Sequence, residues 1–309
     1  MFPTMQPPIH RKLIFVSAGA TSWVYRVDGE HFILKIARQT AIRDFARENA
    51  IYDELEQHQP SPYVLQSILR RPLVNFLPAM KASLEQQIKS NRGQLLSPAD
   101  IGIPCAEPPL MAKRWVTELA GAVAWLESLG YAHGDLRPPN ILVTETDHIK
   151  LADFDSVSKI GTPCGGSAPP WARVQGMEAG AEKKGTFGDH GPRTELFAVG
   201  SIIYTITRGF EPYESYQNDT RVVEWLQNMV FPDLGETKLD RIIDKCWRGS
   251  YPLVKDLYEE TIQLGGEGFA PQSTPLTHEE MSALRDRCHC VLGDLREVLE
   301  DYGRELTRQ

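Results

Sequence analysis

The stretch that most constrains the fold of this chain is residues 131–155, which read YAHGDLRPPNILVTETDHIKLADFD. Asn140 follows Asp135 by five positions, and two short β-type runs, ILV and IKL, come next around a polar turn. Such a pattern predicts a two-stranded hairpin, which brings its two ends together. Asn140, before the first strand, and Asp153, after the second, are therefore expected to lie side by side, with Asp135 one loop away.

The side chains at this predicted edge suit metal-assisted chemistry. Amide and carboxylate oxygens are the ligands that Mg²⁺ prefers, so Asn140 and Asp153 are candidate metal ligands. Asp135 lies outside that pair and is a candidate for holding a hydroxyl nucleophile. The stretch therefore predicts a site of phosphoryl transfer. The alternative interpretation is a hairpin with incidental surface carboxylates, which suits a lone D-x-x-x-x-N better than a long, ordered motif flanked by strands.

The same residues resemble the catalytic and metal-binding loops of protein kinases, H-R-D-L-x-x-x-N followed by D-F-G. The resemblance implies an α+β, bilobal, protein-kinase-like fold, with a small β-rich N-lobe containing one helix and a larger, mostly helical C-lobe. It further implies a flexible arm over residues 1–11, an N-lobe over 12–80, and a C-lobe over 81–309 that includes the C-terminal helices.

Composition excludes several other classes of protein. The net charge of −8 argues against a general nucleic-acid binder, which is usually basic. The five cysteines are scattered without framework spacing, which is typical of reduced thiols in an intracellular protein. The run Cys288-His289-Cys290 lies in a helical pattern and is assigned a structural role. We find neither a membrane-length apolar run nor a signal-peptide core, and expect a cytoplasmic monomer that binds neither membranes nor nucleic acid.

The N-terminal part predicts a small sheet with a nucleotide-binding hairpin. Strands are expected over residues 12–16, up to Val27, and over 32–36. Between the first two strands, the chain matches the kinase glycine-rich loop G-x-G-x-x-G-x-V only in part. Gly19 and Val24 are retained, whereas Ser17 and Ser22 replace the outer glycines. Glycines there allow backbone N–H groups to approach phosphates closely, so serine predicts a looser approach.

A buried ion pair is expected beside this loop. Residues 41–57 have helical periodicity, and Glu48 lies near the apolar face, where a charge requires a cationic partner. The resemblance implies that Glu48 pairs with Lys35 and that Lys35 holds the nucleotide phosphates. The alternative is a solvated helix glutamate. Two more strands are expected over residues 63–69 and 72–77, and the connection at Met80 resembles the hinge that contacts adenine.

The C-terminal part predicts helices with several departures from the family pattern. A long amphipathic helix is expected over residues 110–129, and an almost wholly apolar helix begins near Glu195, which stands where kinases have an Asp. Gly134 replaces the arginine that normally binds a phosphate on the activation segment, so regulation by that route is not expected. Asp155 replaces the glycine of D-F-G, residues 178–192 form a glycine-rich insertion, and a clear A-P-E triplet is absent. The variants HGDLRPPN and DFD and the run GPRTE–FAVGS–TRGFEPY resemble kinase-like proteins of filamentous fungi.

The resemblance implies that the chain binds ATP and Mg²⁺ and phosphorylates Ser or Thr hydroxyls of a protein substrate. Asp135 would orient the hydroxyl, and Arg137 would stabilise the transferring charge. Two alternatives remain open. One is a non-catalytic pseudokinase scaffold, suggested by the missing glycines. The other is a small-molecule phosphotransferase of the aminoglycoside or choline kinase type, suggested by His133-Gly134-Asp135 with the D-x-D at Asp153.

Overall fold

The N-terminal residues form an antiparallel sheet, and most of its strands are rich in the β-branched, aliphatic and aromatic residues that favour strands. The computed structural model describes residues 7–95, 110–216, 219–265 and 273–307. Within that part of the chain, the sheet has the order β1-β2-β3-β5-β4. Its strands are β1 (Leu13–Ala18), β2 (Ser22–Val27), β3 (Phe32–Ala37), β4 (Leu69–Arg71) and β5 (Val74–Pro78). Helix α1 (Ile42–Leu55) follows β3 and lies beside the face that carries Lys35.

One of the two predicted outer strands is wrong. Residues 63–68 are not a strand, and only Val64 forms an isolated bridge, to Leu151. The side chains of Tyr63, Val64 and Leu65 instead pack into the main core, which is the hydrophobic core of the helical part of the chain. Strand β4 begins where the predicted strand was to end, and the second prediction, over residues 72–77, corresponds to β5.

The rest of the chain is mostly helical and surrounds this main core. The bounds are β6 (Ala82–Ser83), α2 (Leu84–Leu95), α3 (Leu110–Ser128), β7 (Tyr131–Ala132), β8 (Ile141–Val143), β9 (Ile149–Leu151), β10 (Ser158–Lys159), α4 (Pro192–Arg208), α5 (Thr220–Gln227), α6 (Lys238–Arg248), α7 (Val254–Ile262) and α8 (His278–Thr307). Helices α3 and α4 are buried at the centre, as their apolar patterns predict. The small sheet and this helical part form the two lobes of the predicted α+β fold.

Helix α8 belongs with the small lobe, which corrects the sequence-based division. Apolar residues recur along α8 at spacings of three, four and seven, which gives the helix one apolar face. Its buried residues Met281, Cys288, Val291, Leu295 and Tyr302 share a core with the sheet residues Tyr25, Leu34, Ile36 and Phe76. The Tyr302 hydroxyl donates a hydrogen bond to the carbonyl of Ala37 at 2.9 Å. Residues 278–307 therefore cover the outer face of the small sheet instead of extending the C-lobe.

Parts of two sequence predictions lie outside the described residues. Residues 7–10 of the expected arm have no regular structure, and residues 1–6 are not described. Residues 91–109 are rich in Gly and Pro and predict an irregular connection, but α2 continues to Leu95 and residues 96–109 are not described. No helix in the part of the chain that the structure describes is both long and apolar enough to cross a membrane.

Candidate active site

The hairpin of β8 and β9 places the two candidate metal ligands next to each other. Ile141 pairs with Leu151 in an antiparallel register, and the N–H of Ala152 donates to the carbonyl of Asn140 at 2.9 Å. Asn140 and Asp153 therefore flank the same end of the hairpin. Asp153 has a left-handed backbone, with φ of 67°, a conformation that non-glycine residues rarely adopt and that occurs preferentially at functional sites.

Asp135 is held by three side chains. Asn140 Nδ2 donates to Asp135 Oδ2 at 2.9 Å, and the Nε of Arg137 donates to the same oxygen at 2.9 Å. The hydroxyl of Ser167 donates to Oδ1 at 2.8 Å. The structure therefore brings Asp135, Arg137 and Asn140 together. The sequence analysis missed the contribution of Ser167, because nothing in the sequence sets it apart from the other hydroxyl residues of the same segment.

Lys35 connects the two lobes through two carboxylates. Its ammonium lies 2.7 Å from Glu48 Oε1 and 3.1 Å from Asp153 Oδ1. Burial alone would lower the pKa of Lys35, but the charges of Glu48 and Asp153 outweigh burial and raise it. Burial would likewise raise the pKa of Asp153, but Lys35 holds it below its usual value. At neutral pH, the lobes therefore meet at an ammonium paired with the carboxylate of Asp153.

A buried carboxylate fixes the backbone of the loop that carries Asp135. Glu195, near the start of α4, accepts the N–H of His133 at 2.7 Å and that of Gly134 at 3.2 Å. Burial raises the pKa of Glu195 to about 7, although both hydrogen bonds act in the opposite direction. Glu195 thus occupies the position in which the sequence analysis expected it to replace a family Asp.

His133 is a neutral imidazole that is hydrogen bonded to the backbone on both sides of its ring. Its Nε2 lies 3.0 Å from the carbonyl of Ala152, and its Nδ1 accepts the N–H of Asp135 at 3.3 Å. This pattern assigns the hydrogen to Nε2, and burial lowers the pKa of His133. The ring also contacts Phe154 edge to face, with 5.6 Å between centroids.

An aromatic column connects this loop to the small lobe. Phe154 contacts Tyr52 of α1 edge to face at 5.1 Å between centroids, so His133, Phe154 and Tyr52 form a continuous series of edge-to-face contacts. Tyr52 lies one helical turn beyond Glu48 on α1, so this series of contacts reaches the same helix face as that carboxylate. The sequence analysis did not identify Tyr52, although its spacing from Phe45 and Glu48 on one helix face was an available signal.

The hairpin that the sequence predicts to bind nucleotide is a tight turn between β1 and β2. The N–H of Gly19 donates to the carbonyl of Ser22 at 2.8 Å, and Arg38 Nη1 donates to the carbonyl of Gly19 at 2.8 Å. Ser22 is buried and Ser17 exposed. Val24 is half-buried and pairs with Lys35 across β2 and β3, so their side chains lie on the same face of the sheet.

The connection between the lobes passes through Met80. The N–H of Ala79 donates to the carbonyl of His31, and that of Lys81 donates to Val143, both at 2.9 Å. Met80 between them is half-buried and packs against the main core. The backbone here is therefore tied to both lobes, on either side of Met80.

The side chains present fit a magnesium–nucleotide complex. Because Asn140 uses its Nδ2 on Asp135, its Oδ1 is the side-chain atom that would bind a metal. The Asp153 side chain is 35% exposed, so its carboxylate is accessible to a cation. Asp155 adds a further acidic group, and burial followed by the nearby Asp153 raises its pKa. The oxygen ligands, together with the ammonium of Lys35, are a donor set suited to Mg²⁺ and phosphates.

The chain belongs to the protein kinase family. The family model for the protein kinase domain matches residues 79–264, about three fifths of the chain. This range contains Asp135, Asn140 and Asp153, whereas the small sheet with Lys35 and the helix α1 with Glu48 lie before it.

Curated relatives are serine/threonine kinases and other kinases. The chain is 30% identical over 112 residues to the human serine/threonine-protein kinase MRCK gamma, covering 34% of this chain and 7% of that protein. It is 29% identical over 140 residues to human myotonin-protein kinase, covering 42% and 22% of the two chains. It is 25% identical over 191 residues to CBL-interacting serine/threonine-protein kinase 20 of Arabidopsis thaliana, covering 57% and 41%. The chain thus spans well under half the length of each of these relatives.

Proposed function

We propose that this chain is an ATP- and Mg²⁺-dependent protein kinase that phosphorylates Ser or Thr hydroxyls of a protein substrate. One observation carries the proposal. Lys35 contacts Asp153 at 3.1 Å, while Asp135 and Asn140 are hydrogen bonded to each other on the adjacent loop. The four polar groups that phosphoryl transfer uses therefore lie close together where the two lobes meet.

Each group has a role that follows from its surroundings. Lys35, kept charged by Glu48 and Asp153, neutralises phosphate charge. Asn140 and Asp153 would hold Mg²⁺, which when bound offsets the negative charge that develops on the transferring phosphoryl group. Asp135 orients the acceptor hydroxyl and receives its proton. Arg137, on Asp135 Oδ2, places a fixed positive charge beside the reacting atoms.

Asp135 Oδ1 accepts a hydrogen bond from an aliphatic hydroxyl within the chain, that of Ser167. The names of the relatives that include serine/threonine kinases support a Ser or Thr hydroxyl as the acceptor.

A binding assay combined with an acceptor panel tests this function. We expect Mg-ATP to raise the melting temperature of the protein, and ATP with EDTA to raise it less. We expect [γ-³²P]ATP to label Ser or Thr in a panel of proteins and peptides. Binding without transfer to any acceptor would support a scaffold, and transfer to aminoglycosides or choline but not to proteins would support a small-molecule phosphotransferase.

A further inference from the structure

The glycine-rich insertion is paired with the segment that follows the D-F-D motif. The N–H of Gly161 donates to the carbonyl of His190, and that of His190 donates to Thr162, each at 2.8 Å. The N–H of Cys164 donates to the carbonyl of Gly188, also at 2.8 Å. Residues 161–164 and 188–190 therefore pair through antiparallel backbone hydrogen bonds, although neither segment is a regular β-strand.

The other end of the segment is tied to the insertion as well. The N–H of Gln175 donates to the carbonyl of Thr186 at 2.8 Å, and that of Gly185 donates to Gln175 at 2.9 Å. The side-chain amide of Gln175 donates to the carbonyl of Phe187 at 3.3 Å. Residues 161–175 are thus held at both ends by backbone groups of residues 185–190.

A side-chain contact carries this arrangement to Asp135. Gly166 has φ of +77°, and a Cβ atom added to it would lie 2.4 Å from the ring of Phe187. The ring therefore rests directly on the backbone of Gly166. The next residue, Ser167, donates a hydrogen bond to Asp135 Oδ1. Phe187 is therefore connected to Asp135 through Gly166 and Ser167.

Gly134 stands where protein kinases usually have an arginine that binds a phosphate. The space beside Gly134 is filled by the backbone of Ser156 and the imidazole of His190. A Cβ atom on Gly134 would lie 2.6 Å from the carbonyl oxygen of Ser156 and 3.1 Å from Cε1 of His190. A larger side chain at Gly134 is therefore excluded while the segment keeps this path. The segment is ordered here by contacts within the chain, at a place where a phosphate–arginine pair would otherwise act.

We propose that residues 176–190 form an intramolecular brace that orders the segment 156–175 without phosphorylation, and that Phe187 is a positioning residue for Ser167 and Asp135. The effect of the brace on phosphoryl transfer rests on the proposed function, whereas the ordering itself does not. The backbone hydrogen bonds of residues 161–175 and the contact of Phe187 with Gly166 are present in the unmodified chain, so they form without phosphorylation.

Hydrogen exchange of the phosphatase-treated full-length protein tests the ordering directly. Intact mass first confirms that no phosphate remains. We expect the amides of Gly161, Cys164 and Gln175 to be protected at least tenfold relative to an unstructured peptide. We expect Phe187→Ser to lose this protection, Phe187→Leu to retain it, and Lys184→Ser, at an exposed position of the same loop, to match the wild type. Rapid exchange across 161–175 in the unmodified wild type would overturn the brace.

Transfer kinetics test the consequence for the active site. With a protein or peptide that the acceptor panel shows to be labelled, we expect Phe187→Ser to lower kcat at least tenfold with little change in the KM for ATP, and Phe187→Leu to keep kcat close to the wild-type value. We expect phosphatase treatment to leave kcat unchanged. A kcat that depends on phosphate in the segment would contradict the proposal. If no acceptor is labelled, the proposed function fails while the exchange experiment still decides whether the brace exists.

Discussion

Glu195 stabilises the loop of Asp135 at the cost of burying a carboxylate. Its pKa rises to about 7 from an ordinary value of 4.5, mainly because of burial. A folded-state pKa above the unfolded value means that the folded protein binds this proton more tightly. The stability that the proton contributes is therefore full below about pH 4.5 and is lost as the pH rises through about 7.

We therefore predict that the wild type and Glu195→Gln differ in their pH dependence of stability. The wild type should lose on the order of 3 kcal/mol relative to the variant between pH 4.5 and 8, since each pKa unit corresponds to about 1.4 kcal/mol. Urea unfolding at a series of pH values measures this. Two stability curves that stay parallel across the range would show that Glu195 does not titrate as described.

Lys35 and Glu48 should show strong coupling in a double-mutant cycle. Glu48 is fully buried, so Lys35→Met leaves an uncompensated charge, which typically costs about 3–5 kcal/mol. In urea unfolding, the double variant Lys35→Met/Glu48→Gln, compared with each single variant, should recover most of that loss. The exposed pair Lys89 and Glu85 is the control, where Lys89→Met should cost less than about 0.5 kcal/mol. A Lys35→Met variant as stable as the wild type would refute the buried ion pair.

At the scale of elements, α8 is part of the small lobe's core. Leu295 is fully buried against the sheet, whereas Glu297 is exposed on the other side of the helix. We predict that Leu295→Ala lowers the free energy of unfolding by about 2–5 kcal/mol, while Glu297→Ala changes it by less than about 0.5 kcal/mol. Chemical denaturation of the full chain measures both. Equal, small effects of the two substitutions would mean that α8 does not pack on the sheet.

Local patterns predicted the elements better than their partners. The β8–β9 hairpin and helix α3 follow from alternation and helical periodicity, which lie within a few residues of sequence. The apolar stripe of α8 predicts that one face is buried but does not say against what, so α8 was assigned to the wrong lobe. Residues 63–68 were misread as a strand because a buried irregular segment and a strand share the same apolar composition.

The candidate site was predicted where side chains have distinctive chemistry. Lys35, Asp135 and Asn140 are recognisable from residue type and spacing, and the structure brings them together. Ser167 and Phe187 were missed because their roles depend on a segment path set by backbone hydrogen bonds. Such bonds leave no side-chain pattern in the sequence.

At the scale of the whole molecule, the ion pair of Lys35 and Asp153 joins the two lobes through residues 118 positions apart. The sheet and α8 share one core, and the other core lies around α3 and α4 and includes Tyr52 and Leu55 of α1. The edge-to-face contact of Tyr52 with Phe154 also joins the two lobes. The relative position of the lobes therefore determines whether the phosphate-binding and hydroxyl-binding groups face the same space.

The initial rate of phosphoryl transfer from [γ-³²P]ATP by the wild type and by Asp135→Asn tests the central claim most directly. Asparagine keeps the shape of the side chain but cannot accept the hydroxyl proton, so the account predicts a fall in rate of about 10²–10⁴-fold. A thermal melt close to that of the wild type would show that the variant is folded. Transfer at the wild-type rate by Asp135→Asn would contradict the assignment of this cleft as the active site.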